Sequence, residues 1–180
     1  MNQQTGDRPL HICVEGPDDY RFFANVVCPR LEQRYALVRL VRYAEWKRSK
    51  LTSFLRHAAK MGDVIYAADI NDAPCVTAKK QAIHRELGNA IAGAAIVVVV
   101  REIEGWYLAG LDQRTAKEIG GAALGAGSTD DVSKEKFEAL QPRRFDLKVD
   151  FMMEILARFA LDAGRARNAS FRYFCAKYSL

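Results

Sequence analysis

The chain has 180 residues, of which 49% are hydrophobic, 10% aromatic and 27% charged. These values are typical of a globular domain with a substantial core, and they exclude a largely disordered or fibrous chain. The 27 Lys and Arg residues outnumber the 22 Asp and Glu residues and give a net charge of +5, a mild bias toward polyanions that does not by itself establish nucleic-acid binding.

In the first hundred residues, apolar runs rich in β-branched residues alternate with helix-like stretches. Strands are predicted at 10–15, 36–41, 63–69 and 94–100, with helices between them at 18–27, 46–60 and 74–89. We expect the first helix to end at Pro29, whereas Pro74 suits the first turn of the third. The last strand is apolar on both faces, as a central parallel strand should be. This alternation predicts a three-layer, Rossmann-like α/β sandwich with a mostly parallel four-stranded sheet.

The second part of the chain is predicted to be helical. Helices are expected at 102–111, 134–140, 151–161 and 170–178. The glycine-rich stretch 120–128 does not follow a strand and lacks a Gly-Lys-Ser/Thr ending, so it is interpreted as a flexible connection rather than a P-loop. We therefore expect one domain over 1–180, with an α/β core at 9–110 and a helical extension at 111–180.

The cysteines and the N-terminus bear on the cellular compartment. The four cysteines are widely spaced and form no Cys-x-x-Cys pair, which favours a reducing setting. The N-terminus lacks the basic-then-apolar pattern of a signal peptide, and the apolar run at 94–100 is too short to span a bilayer. We expect a cytoplasmic protein without membrane insertion.

Acidic residues follow two of the predicted strands. Glu15 ends the first, and Asp69, Asn71 and Asp72 lie at or after the end of the third. In open α/β sheets, ligands bind at these carboxyl ends, and neighbouring strand tips lie about 5 Å apart. Mg²⁺ takes one or two protein carboxylates and leaves its other positions to water and phosphate, so we predict a Mg²⁺ or Mn²⁺ site. A solvated turn is the alternative, with Asp72 or Asn71 capping the helix near Pro74.

A second acidic pair follows the fourth strand. Glu102 and Glu104 are two residues apart, and the first turn of a helix there would favour negative charge. Trp106 and Tyr107 are predicted to pack in the core. For Arg101, a partner role to the clustered carboxylates and a contact to phosphate fit equally well.

Basic residues are interleaved with Tyr43 and Trp46 in the region of the second strand and helix. They are Arg39, Arg42, Lys47, Arg48, Lys50 and Arg56. Such a stretch neutralises phosphates and lets aromatic rings stack on unpaired bases, although a solvated helix face fits the pattern equally well. A weaker basic cluster near the C-terminus consists of Arg165, Arg167, Arg172 and Lys177.

Three other site classes are disfavoured. The three histidines show no zinc-like spacing with the cysteines, and no Gly-x-Ser-x-Gly elbow of a serine hydrolase occurs. No Gly-x-Gly-x-x-Gly follows the first strand, which disfavours dinucleotide binding.

Four motifs carry a resemblance to a known family. They are Val-Glu-Gly-Pro-Asp-Asp at 14–19 followed by Phe-Phe, Ala-Asp-Ile-Asn-Asp at 68–72, Val-Arg-Glu-Ile-Glu-Gly-Trp-Tyr-Leu-Ala at 100–109, and Ser-Phe-Arg-Tyr-Phe at 170–174. Over most of its length the chain resembles the TOPRIM-like domains of the DUF4276 family. The resemblance implies a TOPRIM fold, as found in topoisomerases, primases and overcoming-lysogenization-defect nucleases, which hold Mg²⁺ for phosphodiester chemistry.

Carried over by position, the resemblance implies a role for each acidic residue. Glu15 would be the strand-one glutamate, acting as metal ligand or acid/base, and Asp69 the first aspartate of an Asp-x-Asp pair. Asn71 stands in the place of the second aspartate, so metal affinity should fall unless Asp72 substitutes. Glu102 or Glu104 would join the cluster, Glu102 as a catalytic residue and Glu104 as a metal ligand.

These expectations give a leading hypothesis and two alternatives. The leading hypothesis is a Mg²⁺-dependent nuclease for DNA or RNA in which the basic stretch holds the strand, together with Arg101. The alternatives are a non-catalytic nucleic-acid-binding or partner-binding module and a nucleotide-binding or phosphotransfer enzyme. The resemblance also implies an ABC-type ATPase partner in a defence system, and a homodimer is left open.

Overall fold

A computed structural model describes residues 8–180. The chain divides into two compact units, one ending at Val98 and the other beginning at Val99. The single-domain organisation with a boundary at 110 stays a prediction. Within the described residues, no helix combines the length and apolar character needed to cross a membrane.

The first unit is built on a parallel sheet in the order β2-β1-β3-β4. The strands are β1 (Pro9–Val14), β2 (Leu37–Arg42), β3 (Asp63–Asp69) and β4 (Ile96–Val99). β1 pairs in parallel with β2 and with β3, so that Cys13 lies opposite both Val41 and Tyr66. The predicted four-stranded parallel sheet is confirmed, and β1 and β3 are neighbours.

β4 does not hold the central position predicted from its apolar sequence. It lies at the end of the strand order, although all four of its residues are buried. Burial of both faces is therefore enough to explain a continuous apolar run, and an internal place in the sheet is not required.

Helices cover both faces of this sheet. They are α1 (Pro17–Phe22), α2 (Cys28–Leu31), α3 (Arg48–Met61) and α4 (Val76–Leu87). Leu55 of α3 and Ile83 of α4 pack in one buried cluster with Cys13 and Tyr66, while α1 and α2 contact β2. The three-layer α/β sandwich predicted from the alternating pattern is thereby confirmed.

The first helical segment continues through Pro29 instead of ending there, so that prediction was wrong. A π-helical turn at Phe23–Val27 leads from α1 into α2, and the N–H of Cys28 donates to the carbonyl of Phe23. In a regular helix, the proline ring clashes with the carbonyl four residues earlier. The wider turn just before Pro29 changes this geometry, which explains how the segment continues.

Gly62 allows the chain to pass from α3 directly into β3. A Cβ at this position would lie 2.0 Å from the carbonyl oxygen of Pro9 in β1. Only a residue without a side chain permits so close an approach of two backbones. The predicted strand at 63–69 agrees with β3 at both ends.

The second unit is helical, as predicted. Its helices are α5 (Ile103–Ala109), α6 (Gln113–Ile119), α7 (Lys134–Ala139), α8 (Lys148–Ala157), α9 (Leu161–Arg167) and α10 (Ala169–Tyr178). Trp106 and Tyr107 are fully buried, which confirms their predicted place in the core. The indole Nε1 of Trp106 donates to Oγ of Ser170 at 2.8 Å, and Ser170 Oγ in turn donates to Oδ1 of Asn168 at 2.8 Å.

Two helices of this unit were not predicted. α6 begins after Asp112, whose carboxylate accepts from the N–H of Thr115, and it ends at Gly120 with φ +115°. The predicted helix at 151–161 corresponds to α8, which begins earlier, at Lys148, and ends at Ala157. α9, which begins at Leu161, is a separate helix that was not predicted. The glycine-rich stretch contains a 3-10 turn at Ala122–Gly125.

Candidate functional site at the carboxyl ends of the strands

The edge cavity is a space of about 300 Å³ in the first unit, where β1, β2 and β3 end. Its polar lining consists of Glu15, Arg48, Asn71, Lys79 and Glu86. Its aromatic lining consists of Tyr43, Trp46 and Tyr66. Open α/β sheets bind ligands at this edge, because the carboxyl ends of parallel strands and the loops that follow them meet there.

Backbone hydrogen bonds hold the ends of β1 and β2 together at the cavity. The N–H of Tyr43 donates to the carbonyl of Val14 at 3.0 Å, and the N–H of Ala44 donates to that of Glu15 at 3.4 Å. The N–H of Trp46 donates back to the carbonyl of Tyr43 at 2.8 Å. The pairing therefore extends beyond the strands and brings Glu15 beside the aromatic residues.

Asn71 belongs to a tight turn after β3. The N–H of Ala73 donates to the carbonyl of Ile70 at 3.1 Å, and Asn71 has φ +48°. Asn adopts this left-handed backbone more readily than most residues do. The turn thus gives a conformational reason for Asn71, while Asp69 is the half-buried last residue of β3.

Neither Asp72 nor Asn71 caps the helix that follows, so this alternative was wrong. α4 begins at Val76, and its N-cap is Cys75, whose Sγ accepts from the N–H of Ala78 at 3.4 Å. Asp72 is exposed and is not among the residues that line the edge cavity. Its predicted role as a metal ligand stays a prediction.

Two tyrosines form one wall of the cavity. The rings of Tyr43 and Tyr66 stack with centroids 4.6 Å apart, and the hydroxyl of Tyr43 donates to the carbonyl of Ala67 at 3.1 Å. Burial raises the pKa of both phenols well above the ordinary value, and the charge of Glu15 adds to this effect. The wall is therefore uncharged at neutral pH.

Basic residues lie on two helices at the cavity. Arg48 begins α3, and its guanidinium donates to the carbonyl of Glu86. Lys79 lies on the first turn of α4. Of the predicted nucleic-acid-binding residues in the first unit, Arg48 lines the cavity and the others do not. The others lie at exposed positions: Arg39 and Arg42 on β2, Lys47 at the N-cap of α3, and Lys50 on α3.

The predicted acidic residues of the second unit already have partners there. Glu104, in the first turn of α5, is 4% exposed, and its Oε1 lies 2.6 Å from Nζ of Lys148. Glu102 is the N-cap of α5 and accepts a hydrogen bond from the backbone N–H of Lys134. Arg101 is exposed and has φ +64°.

Whether the residues at the edge cavity can bind Mg²⁺ depends on how many protein ligands the ion needs. Within residues 8–180, no group of three or more His, Cys, Asp or Glu side chains is arranged to hold a metal ion. Mg²⁺ needs only one or two protein carboxylates, with water and phosphate as its other ligands. The carboxylate of Glu15 and the amide oxygen of Asn71, which line the cavity, are oxygen ligands of the kind that such a site uses. Asp69 ends β3, two residues before Asn71, and is not among the residues that line the cavity.

Comparison with family models, with curated proteins and with solved structures found no match to the chain. The resemblance to the TOPRIM-like DUF4276 domains therefore stays a prediction. Any functional conclusion rests on the residues at the edge cavity and on their chemistry.

Three polar or aromatic residues of the cavity were not singled out from the sequence. Tyr66 lies inside an apolar strand, and Lys79 and Glu86 lie on α4. Lys79, Ile83 and Glu86 follow one another at intervals of four and three residues, which places them on one helix face. That spacing is a signal that could have found them.

Proposed function

We propose that the chain is a Mg²⁺-dependent, TOPRIM-type nuclease that cleaves phosphodiester bonds of DNA or RNA at the edge cavity. One observation carries this proposal. Glu15 and Asn71, which follow the neighbouring parallel strands β1 and β3, line the same cavity as Arg48 and Lys79. Oxygen ligands beside two cationic side chains suit a divalent cation together with a phosphate group.

In this proposal the chain's own residues divide the work. Glu15 and Asp69 provide carboxylate oxygens for the ion, and Asn71 provides an amide oxygen. When bound, Mg²⁺ supplies an activated water and stabilises the charge that develops on the phosphate. Arg48 and Lys79 hold the phosphate oxygens by charge-assisted hydrogen bonds. The role of Asp72 and the ABC-type ATPase partner in a defence system belong to the same proposal through the family resemblance. Glu104 is already paired with Lys148, and Glu102 accepts from the N–H of Lys134, so neither is assigned a role at the edge cavity.

Nuclease assays with single-stranded and duplex DNA and RNA test the proposal. Cleavage is expected with Mg²⁺ or Mn²⁺, and it should be lost in EDTA and in the variants Glu15→Gln and Asp69→Asn. Glu45→Gln is the matched control, because Glu45 is exposed and does not line the cavity. The proposal fails if the wild-type chain cleaves none of the substrates with either metal, or if Glu15→Gln cleaves them at the wild-type rate.

A second candidate function is a nucleic-acid-binding or partner-binding module without catalysis. It is favoured by the lack of a three-ligand acidic group among residues 8–180 and by the ion pair that occupies Glu104. Binding that weakens with salt, ignores EDTA and leaves the nucleic acid intact would support this function over the nuclease.

A further inference from the structure

The aromatic lining of the edge cavity has no role in the proposed chemistry. Trp46 is half-buried, and its ring meets Phe54 edge to face at 5.4 Å. Nζ of Lys50 lies 4.0 Å from the centroid of the Trp46 ring. These two contacts hold the indole in place, and Tyr43 and Tyr66 support each other by stacking. The cavity is therefore lined by three aromatic side chains, Tyr43, Trp46 and Tyr66, which form a surface of the kind on which a planar group stacks.

The size of the cavity limits what it can hold. Its volume of about 300 Å³ lies at the low end of the range for small-molecule sites, roughly 300–1,000 Å³. A double helix, whose bases are stacked and paired, does not fit into such a space. A single unpaired nucleotide is the part of a nucleic acid that matches it.

The cavity is lined by both basic and acidic side chains. This combination suits a ligand that has an anionic group and a planar group with hydrogen-bond donors. Arg48 and Lys79 are donors for phosphate oxygens. The carboxylate of Glu86 is an acceptor, and the amino groups at the edges of nucleobases are donors that a carboxylate can accept from. A simple anion would use only the cations and leave the aromatic surface without a function.

We propose that the edge cavity receives one nucleoside monophosphate unit of an unpaired strand. The base lies against the aromatic surface, and the phosphate lies at Arg48 and Lys79. This inference rests on the proposed function and names its substrate class: the chain acts on single-stranded nucleic acid, with one nucleotide inserted at the sheet edge. Stacking on aromatic side chains is how proteins commonly hold unpaired bases.

Equilibrium binding in EDTA tests the inference without requiring cleavage. The probes are a labelled single-stranded oligonucleotide of eight nucleotides, a duplex of the same sequence, a free nucleoside 5′-monophosphate and inorganic phosphate. The wild-type chain should bind the single strand more tightly than the other three. Trp46→Ala and Lys79→Gln should each weaken single-strand binding by about tenfold.

Matched controls separate the cavity from general charge. Lys80→Gln lies next to Lys79 but outside the cavity, and Lys60→Gln lies at an exposed position in the last turn of α3. Both should bind as the wild type does. Trp46→Phe keeps an aromatic ring and should retain most of the affinity, so that it distinguishes loss of stacking from loss of folding, which circular dichroism checks for every variant.

Three results would overturn the inference: equal binding of duplex and single strand, unchanged single-strand binding by Trp46→Ala, or tighter binding of the free monophosphate than of the strand. The test is independent of the proposed chemistry. Cavity-dependent binding without any cleavage would defeat the nuclease proposal alone. Metal-dependent cleavage that ignores Trp46→Ala would defeat this inference alone.

Discussion

Nζ of Lys148 lies 2.6 Å from Oε1 of Glu104, which joins α8 to α5 within the second unit. The side chains are only 20% and 6% exposed, respectively. Both charges are thus largely removed from water, and each depends on the other for compensation. The position predicted to bind a metal through Glu104 therefore holds a cation that belongs to the chain itself.

Replacing Lys148 should destabilise the second unit strongly. Lys148→Met keeps an apolar chain of similar length but leaves the buried carboxylate of Glu104 without its partner, so the free energy of unfolding should fall by about 3 kcal/mol. Urea denaturation measures the change. Lys136→Met is the control, because Lys136 pairs with Asp131 at the surface, where both side chains are about half exposed or more, and should change stability by less than about 1 kcal/mol. Equal effects of the two substitutions would contradict this account.

Arg167 should be needed for the glycine-rich stretch and for the loop after α5. Its guanidinium donates to the carbonyls of Leu108, Leu111, Leu124, Ala126 and Gly127. Burial lowers its pKa, which nevertheless stays far above neutrality. Arg167→Lys loses the planar fork and most of these bonds, so we expect a loss of about 2–3 kcal/mol in thermal or urea denaturation.

Arg165→Lys is the matched control for Arg167, since Arg165 is exposed on the same helix. It should leave the denaturation midpoint unchanged. A surface role for Arg167 in binding nucleic acid would predict the reverse pattern, with unchanged stability in Arg167→Lys.

Two substitutions at Arg101 should separate backbone strain from phosphate binding. Arg101 has φ +64°, a conformation that costs a residue with a side chain about 1 kcal/mol relative to glycine. Arg101→Gly should therefore raise the free energy of unfolding by about that amount, whereas Arg101→Ala should not. If Arg101 contacts phosphate, both variants should weaken nucleic-acid binding equally. Unchanged binding in both would exclude the predicted phosphate contact.

The cysteines should differ in reactivity and make stability depend on alkaline pH. Burial raises the pKa of Cys13 to about 12 and that of Cys28 to about 11, whereas Cys75 is exposed. At pH 8 in the native state, iodoacetamide should therefore label Cys75 first, as mass spectrometry of peptides would show. Rapid labelling of Cys13 at the same pH would contradict the buried position of β1.

The direction of the pH effect on stability follows from the raised pKa values of Cys13 and Cys28. Above the ordinary cysteine pKa of about 8.5, the unfolded chain loses thiol protons that the folded chain keeps at Cys13 and Cys28. The free energy of unfolding should therefore fall as the pH rises from about 9 toward 11. The variant Cys13→Ala should show a smaller slope over this interval, measured by urea denaturation at each pH.

Local patterns were sufficient for the four parallel strands but not for the position of β4 in the sheet or for several features around it. The strand at 63–69 could be read from its β-branched and aromatic residues between Gly62 and the turn at Asn71. The continuation through Pro29 depends on a π-helical turn that has no simple sequence signature. α6 carried recognisable signals, an N-cap at Asp112 and a glycine at its end, and could have been predicted.

Part of the candidate site could likewise be predicted from the sequence, and part could not. Glu15 and Asn71 could be placed at one sheet edge because parallel strands end together. The partner of Glu104 could not be found from spacing, since Lys148 lies 44 residues away in sequence and contacts it only through the packing of α8 on α5. Long-range pairing of this kind depends on tertiary structure, and it changes how the acidic motif at Glu102 and Glu104 is interpreted.

The strand order has a consequence for how the first unit folds. β1 pairs with β3 through residues such as Leu10 and Asp63, and every described strand pair is parallel, so each pairing must wait for an intervening crossover segment to form. Closing these long chain segments costs entropy before any contact is gained, and topologies of this kind fold more slowly than helical bundles of similar size. During synthesis on the ribosome, β1 must therefore remain without its β3 neighbour until more than fifty further residues have emerged, a period in which the unpaired edge of β1 is open to aggregation.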